Sequence, residues 1–122
     1  VIGEAASGRT DVQQLVYVCA LATPVDQDAN QFMREGPKTN FEDSIRVKGQ
    51  HVVFEPEDAI DAFYANCPAE LADEARARLR PMGLQGLSTR RRPGYETIRS
   101  TYVVCTRDRA LHPELQERMA TH

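Results

Sequence analysis

The chain has 122 residues, a net charge of −3, and 41% apolar and 27% charged residues, which suits one soluble globular domain with a modest core. This balance speaks against nucleic acid or an anionic membrane as a partner. No apolar run reaches membrane-spanning length and no amino-terminal stretch has signal-peptide form, so a cytoplasmic protein is expected. The three cysteines, Cys19, Cys67 and Cys105, are odd in number and form no C-x-x-C pair. They indicate neither a disulfide framework nor a zinc site, and no metal ligand set is expected.

In chain order, Val1–Ala6 reads as the end of a helix, closed by Ser7-Gly8 with Gly8 in the left-handed position. Gln14–Ala22 is a strand. Its unbroken run from Leu15 to Cys19 predicts burial on both faces, and Thr23-Pro24 ends it. Asp26–Asn40 is polar and irregular, and Gly36-Pro37 argues against a continuous helix. Ile45–Val47 and His51–Phe54, either side of Lys48-Gly49-Gln50, predict a hairpin.

Pro56 opens a helix at its favoured first position, with Glu57 and Asp58 in the first turn. Its expected apolar stripe is Ile60, Phe63, Tyr64 and Cys67. Pro68 opens a second helix running to Arg80, with Leu71, Ala75 and Leu79 as its apolar face and its basic residues late. Arg90-Arg91-Arg92 is short for a basic tract and reads as a solvated loop. Thr101–Cys105 is a β-branched and aromatic strand, followed by a polar tip with Asp108 and a helix opened by Pro113. Asp108 thus stands past the carboxyl end of a core strand, where open α/β sheets place functional groups. On local sequence alone the favoured reading is a turn carboxylate satisfied by backbone N–H groups and neighbouring arginines. Cys19 and Cys105 are expected to be small buried hydrophobes rather than nucleophiles.

Two core strands separated by about seventy residues of small helices and a hairpin predict an α/β layer with an inserted, mostly helical cap. The expected division is 1–24 for a helix end and core strand, 25–94 for the cap, and 95–122 for the second core strand with its following helix. Two strands are few for a sheet buried on both faces.

The blocks LVYVCALATP, FEPEDAIDAFYANCP, ARLRP and STYVVCTRDRALHPELQERMA resemble, in order, successive blocks of α/β-hydrolase superfamily proteins. They are most similar in feel to the small bacterial hydrolases near the plant esterase and hydroxynitrile lyase group. The resemblance is strongest over Tyr95–Ala120 and Leu15–Pro24, and Arg99 departs from it where many relatives have proline. It implies a partial α/β-hydrolase fold: the middle-to-late part, with two parallel core strands, flanking helices and the cap. It also implies hydrolysis of a small ester or related acyl substrate by a Ser-His-Asp triad, without cofactor.

Asp108 matches the triad acid, and VIGEAASG resembles the helix leaving the nucleophile elbow. The 122 residues contain no G-x-S-x-G. The catalytic serine and histidine are expected outside this stretch, which alone is then inactive. The cap stripe reads first as packing within the cap, and its Phe63 and Tyr64 are also the candidate substrate contacts. Ser7, Ser44, Ser88 and Ser100 lack the elbow context. His51 has no evident partner, His112 reads as a helix-capping residue and His122 as terminal. An alternative reading is a non-catalytic protein that self-associates through exposed strand edges.

Overall fold

The computed structural model describes residues 2–24, 27–84 and 96–121. Its elements, in order, are α1 (Ile2–Ala6), β1 (Leu15–Val18), α2 (Ala29–Arg34), α3 (Asn40–Ser44), β2 (Ile45–Lys48), β3 (His51–Phe54), α4 (Pro56–Tyr64), α5 (Ala69–Ala77), β4 (Met82–Gly83), β5 (Ser100–Val103) and α6 (Pro113–Ala120). The architecture is α/β. β1 and β5 pair in parallel, and β2-β3-β4 form a separate antiparallel sheet. No helix of the described residues is long and apolar enough to cross a membrane.

The parallel pair aligns Leu15 with Ser100 and Val18 with Val103. Beyond the strand ends, Leu15 N donates to Arg99 O at 3.0 Å and Cys19 N to Val103 O at 3.1 Å. Tyr17 and Tyr102 are register partners and their rings stack at 6.3 Å. The Tyr102 hydroxyl donates to Ala20 O at 2.7 Å, pinning the chain as it leaves β1. Two core clusters meet at Tyr102. One holds Ala6, Leu15, Tyr17, Ala22 and Ile98; the other holds Phe32, Leu111, Leu115 and Met119.

The expected burial of both strand faces is corrected. Leu15 and Tyr17 are buried, but Val16 and Val18 are 52% and 53% exposed and Val103 is 42% exposed. Side chains alternate across a sheet, so the described helices cover one face of this two-stranded layer and leave the other open.

Local signals explain most of the other elements. Gly8 adopts φ +74° after α1, and Gly49 φ +61° in the β2–β3 turn, conformations that suit glycine. The hairpin pairs Ile45 with Phe54 and Lys48 with His51. The irregular reading of 26–40 is corrected by one short helix, α2, and α3 begins at its last residue, Asn40; no continuous helix forms. Asp28 caps α2 through its carboxylate, and Thr39 and Glu42 form a capping box on α3.

Two helix faces also differ from expectation. On α4 the buried residues are Ala59 and Ala62, with Phe63 and Cys67 exposed. On α5 the buried residue is Ala72, while Leu71 is 58% exposed. These two helices pack against each other, and small residues let helices approach closely. The larger side chains of α4 serve another contact: Phe41, Phe54, Phe63 and Tyr64 form a chain of aromatic contacts. Arg90-Arg91-Arg92, Ser88 and His122 lie outside the described residues.

Candidate functional site

Asp108 follows β5 in a turn, with Asp108 N donating to Cys105 O at 3.1 Å. Its Oδ1 accepts from Ala110 N at 2.8 Å and Leu111 N at 3.0 Å. Its Oδ2 accepts from Gln116 Nε2 at 2.9 Å. The carboxylate is half-buried and lines a cleft of about 560 Å³. The cleft wall also includes Cys19, Cys105, Phe63, Ala65, Asn66 and Arg109.

Cys19 leaves β1 with φ +37°, a left-handed conformation that non-glycine residues seldom adopt. This bend places it on the cleft wall beside Cys105 and Asp108. Burial pushes its thiol up to about 12, with further contributions from Cys105 and Asp108. A protonated thiol is a poor nucleophile, so this setting disfavours attack by Cys19. Both cysteines are half-buried, more open than the fully buried hydrophobes expected, while Cys67 is exposed. Tyr102, in the next layer, is pushed up to about 12, mainly by burial.

A second cavity of about 370 Å³ adjoins the first, sharing Cys19, Phe63, Ala110 and Leu111. Its remaining wall is largely apolar, with Leu21, Met33, Phe41, Ile45, Val52 and Met82. A polar mouth at Asp108 therefore leads toward a drier space, a common form for small-molecule sites.

Two contacts tie the segment between the core strands to the acid-bearing loop. The Thr39 hydroxyl donates to Ala110 O at 2.9 Å. Arg109 pairs with Asp61 of α4, and Asp61 also accepts from Asn40. Among the sequence candidates, Asp108 and Phe63 share the cleft, whereas Tyr64 touches Phe63 but does not line it. The serines and histidines of the described chain have other roles. Ser44 is buried and donates to Phe41 O, and the Ser100 hydroxyl donates to Ile98 O. Ser7 and His51 are exposed. His112 caps α6, its Nδ1 accepting from Glu114 N.

Gln116 was not singled out by the sequence. It is 0% exposed and bonds Asp108, Leu111 O and Cys105 N. The available signal was its place beside Leu115 and Met119 on the apolar face of α6. Among the described residues no three His, Cys, Asp or Glu side chains cluster to hold a metal ion.

No family model matches the chain. It is 30% identical over 118 residues to the alpha/beta hydrolase nvfD of Aspergillus novofumigatus (strain IBT 16806), an alignment covering 93% of this chain. The chain spans 45% of that relative's length. The ordered sequence blocks, the parallel strand pair and the carboxylate past the end of β5 agree with this similarity. This similarity supports, at low identity, the α/β-hydrolase superfamily for the chain.

Proposed function

We propose that this chain supplies the acid-bearing part of a serine hydrolase acting on a small ester or related acyl compound, with Asp108 as the triad acid. The observation carrying this reading is the setting of Asp108. It lies past the carboxyl end of β5, is fixed by three donors and faces an open cleft. In a Ser-His-Asp triad the serine attacks the acyl carbonyl and the histidine takes its proton. The acid orients the histidine and stabilises its charged form.

Asp108 can do only the last of these. In this reading the serine and histidine come from residues outside these 122, which the 45% coverage of the relative allows. The segment between the core strands acts as the cap, and Phe63 contributes to the substrate wall.

The test is turnover of short p-nitrophenyl esters by the full-length gene product carrying these residues. Asp108→Asn is expected to lower kcat on the order of a thousandfold or more, because an amide cannot stabilise the imidazolium as a carboxylate does. Turnover unaffected by Asp108→Asn, or none in the parent protein, would overturn the proposal.

A second reading, self-association, is favoured by the exposed Val16, Val18 and Val103 face. Size-exclusion chromatography of the 122-residue chain separates the two. Concentration-dependent dimers abolished by Val16→Lys support association, and a monomer at all concentrations removes it.

A further inference from the structure

Gln116 is fully buried and both atoms of its amide are engaged. Its Oε1 accepts from Cys105 N at 2.8 Å. Its Nε2 donates to Asp108 Oδ2 at 2.9 Å and to Leu111 O at 2.7 Å. The amide orientation is forced, because a flipped amide would set its oxygen against two other oxygens and its NH₂ against an N–H. One side chain thereby joins the end of β5, the acid-bearing turn and α6.

Asp108 has about four acceptor positions when ionised. Ala110 N and Leu111 N occupy Oδ1, and Gln116 takes one position on Oδ2. The cleft-facing side of the carboxylate also meets the Cys19 thiol, which lines the same cleft. The two backbone donors lie in the same turn as Asp108, two and three residues on. Gln116 donates from a different element, so it restrains Oδ2 from outside the turn, against rotation about Cα–Cβ as well as Cβ–Cγ.

We infer that Gln116 is a positioning residue for the triad acid: it locks the Asp108 carboxylate in one orientation, with its cleft-facing side turned to a proton donor. This rests on the reading of Asp108 as that acid. Gln116 touches no substrate in this scheme and acts through Asp108 alone. Met119 and Leu115, its neighbours on α6, are buried packing residues without such a link.

Two readouts test it. The first uses the 122-residue chain and needs no turnover. Three-bond couplings report the Asp108 χ1 distribution in the parent, Gln116→Met and Gln116→Glu. Methionine preserves volume and removes every hydrogen bond. Glutamate keeps the acceptor for Cys105 N and loses the donors, so at least one variant is expected to fold. Either variant, once shown folded by its amide spectrum, is expected to average Asp108 over more than one rotamer. A single parent-like rotamer in a folded variant would overturn the inference.

The second readout is ester turnover by the full-length gene product. Gln116→Met is expected to lower kcat about ten- to a hundredfold with KM nearly unchanged, the loss expected for one hydrogen bond to a charged group. Added to Asp108→Asn, it should cost little more, because its effect passes through that carboxylate. A full additional loss in the double variant would assign Gln116 a role independent of Asp108 and refute the inference. Absence of turnover in the parent sinks the hydrolase reading but leaves the rotamer result to decide whether Gln116 holds the carboxylate.

Discussion

Gly36 and Leu115 offer a sharp test of how this core is packed. Gly36 follows α2, and a Cβ built there would stand 2.5 Å from Leu115 Cγ and Cδ1 and 2.6 Å from Cδ2. Its backbone is outside the left-handed region, so alanine is objectionable for space alone. Leu115 is 1% exposed between Phe32, Leu111 and Met119 and has little room to retreat. Gly36→Ala is therefore expected to cost about 1–3 kcal/mol by overpacking. Leu115→Ala is expected to cost about 2–5 kcal/mol from lost burial and the cavity left behind.

The double variant should be far better than the sum. The alanine methyl at position 36 enters volume that Leu115 vacated, and the clash disappears. The expected coupling is about 1–3 kcal/mol in the favourable direction, within the range for residues in contact. Urea unfolding of the parent, both single variants and the double variant, followed by circular dichroism, measures it. Additivity within about 0.5 kcal/mol would refute the argument, because independent sites do not share space.

Other expectations follow from the same structure. Cys19 and Tyr102 have folded values near 12 against ordinary values of 9 and 10, so the unfolded chain releases their protons first as pH rises. Their contribution is intact below about pH 9 and is lost between there and pH 12, so alkaline denaturation should be shallower in Cys19→Ala and Tyr102→Phe. Tyr102→Phe should also cost about 0.5–1.5 kcal/mol at neutral pH, by removing the bond to Ala20 O. Alkylation with iodoacetamide followed by mass spectrometry should label exposed Cys67 well before Cys19; equal rates would contradict the burial of the latter. Arg109→Ala should cost no more than about 1 kcal/mol in thermal unfolding, since its pair with Asp61 is solvated.

What the sequence disclosed follows from how local each signal is. Pro56, Pro113, Gly8 and Gly49 act on their own backbone, and the elements they punctuate lie where expected. The helices at Ala29–Arg34 and Asn40–Ser44 were legible too, through Asp28 and the Thr39–Glu42 box, but the surrounding polarity hid those caps. Orientation was harder to read. Leu71 is apolar at helical spacing yet faces water while Ala72 beside it is buried, and periodicity does not reveal what lies opposite a helix. The open side of β1 is a similar case: Val16 and Val18 carry no mark of whether a second layer covers them. Asp108 was found because a strand end is a recognisable place. Gln116 was not, because the need for its amide arises only when β5, the turn and α6 come together.

The Thr39 tether bears on how a ligand enters. Ala110 is held at both ends, its N–H by Asp108 and its carbonyl by Thr39. Any outward swing of α3 must pull on the residue that braces the carboxylate. The Thr39 side of the cleft is therefore a fixed jamb that moves with the acid. Ala65 and Asn66, just past α4, also line the cleft and are exposed. Because the Asp61–Arg109 tie on the α4 side is a solvated ion pair and the Thr39 bond is half-buried, spin labels at Asn66 and Arg107 should report a broader distance distribution than a pair at Lys38 and Arg107.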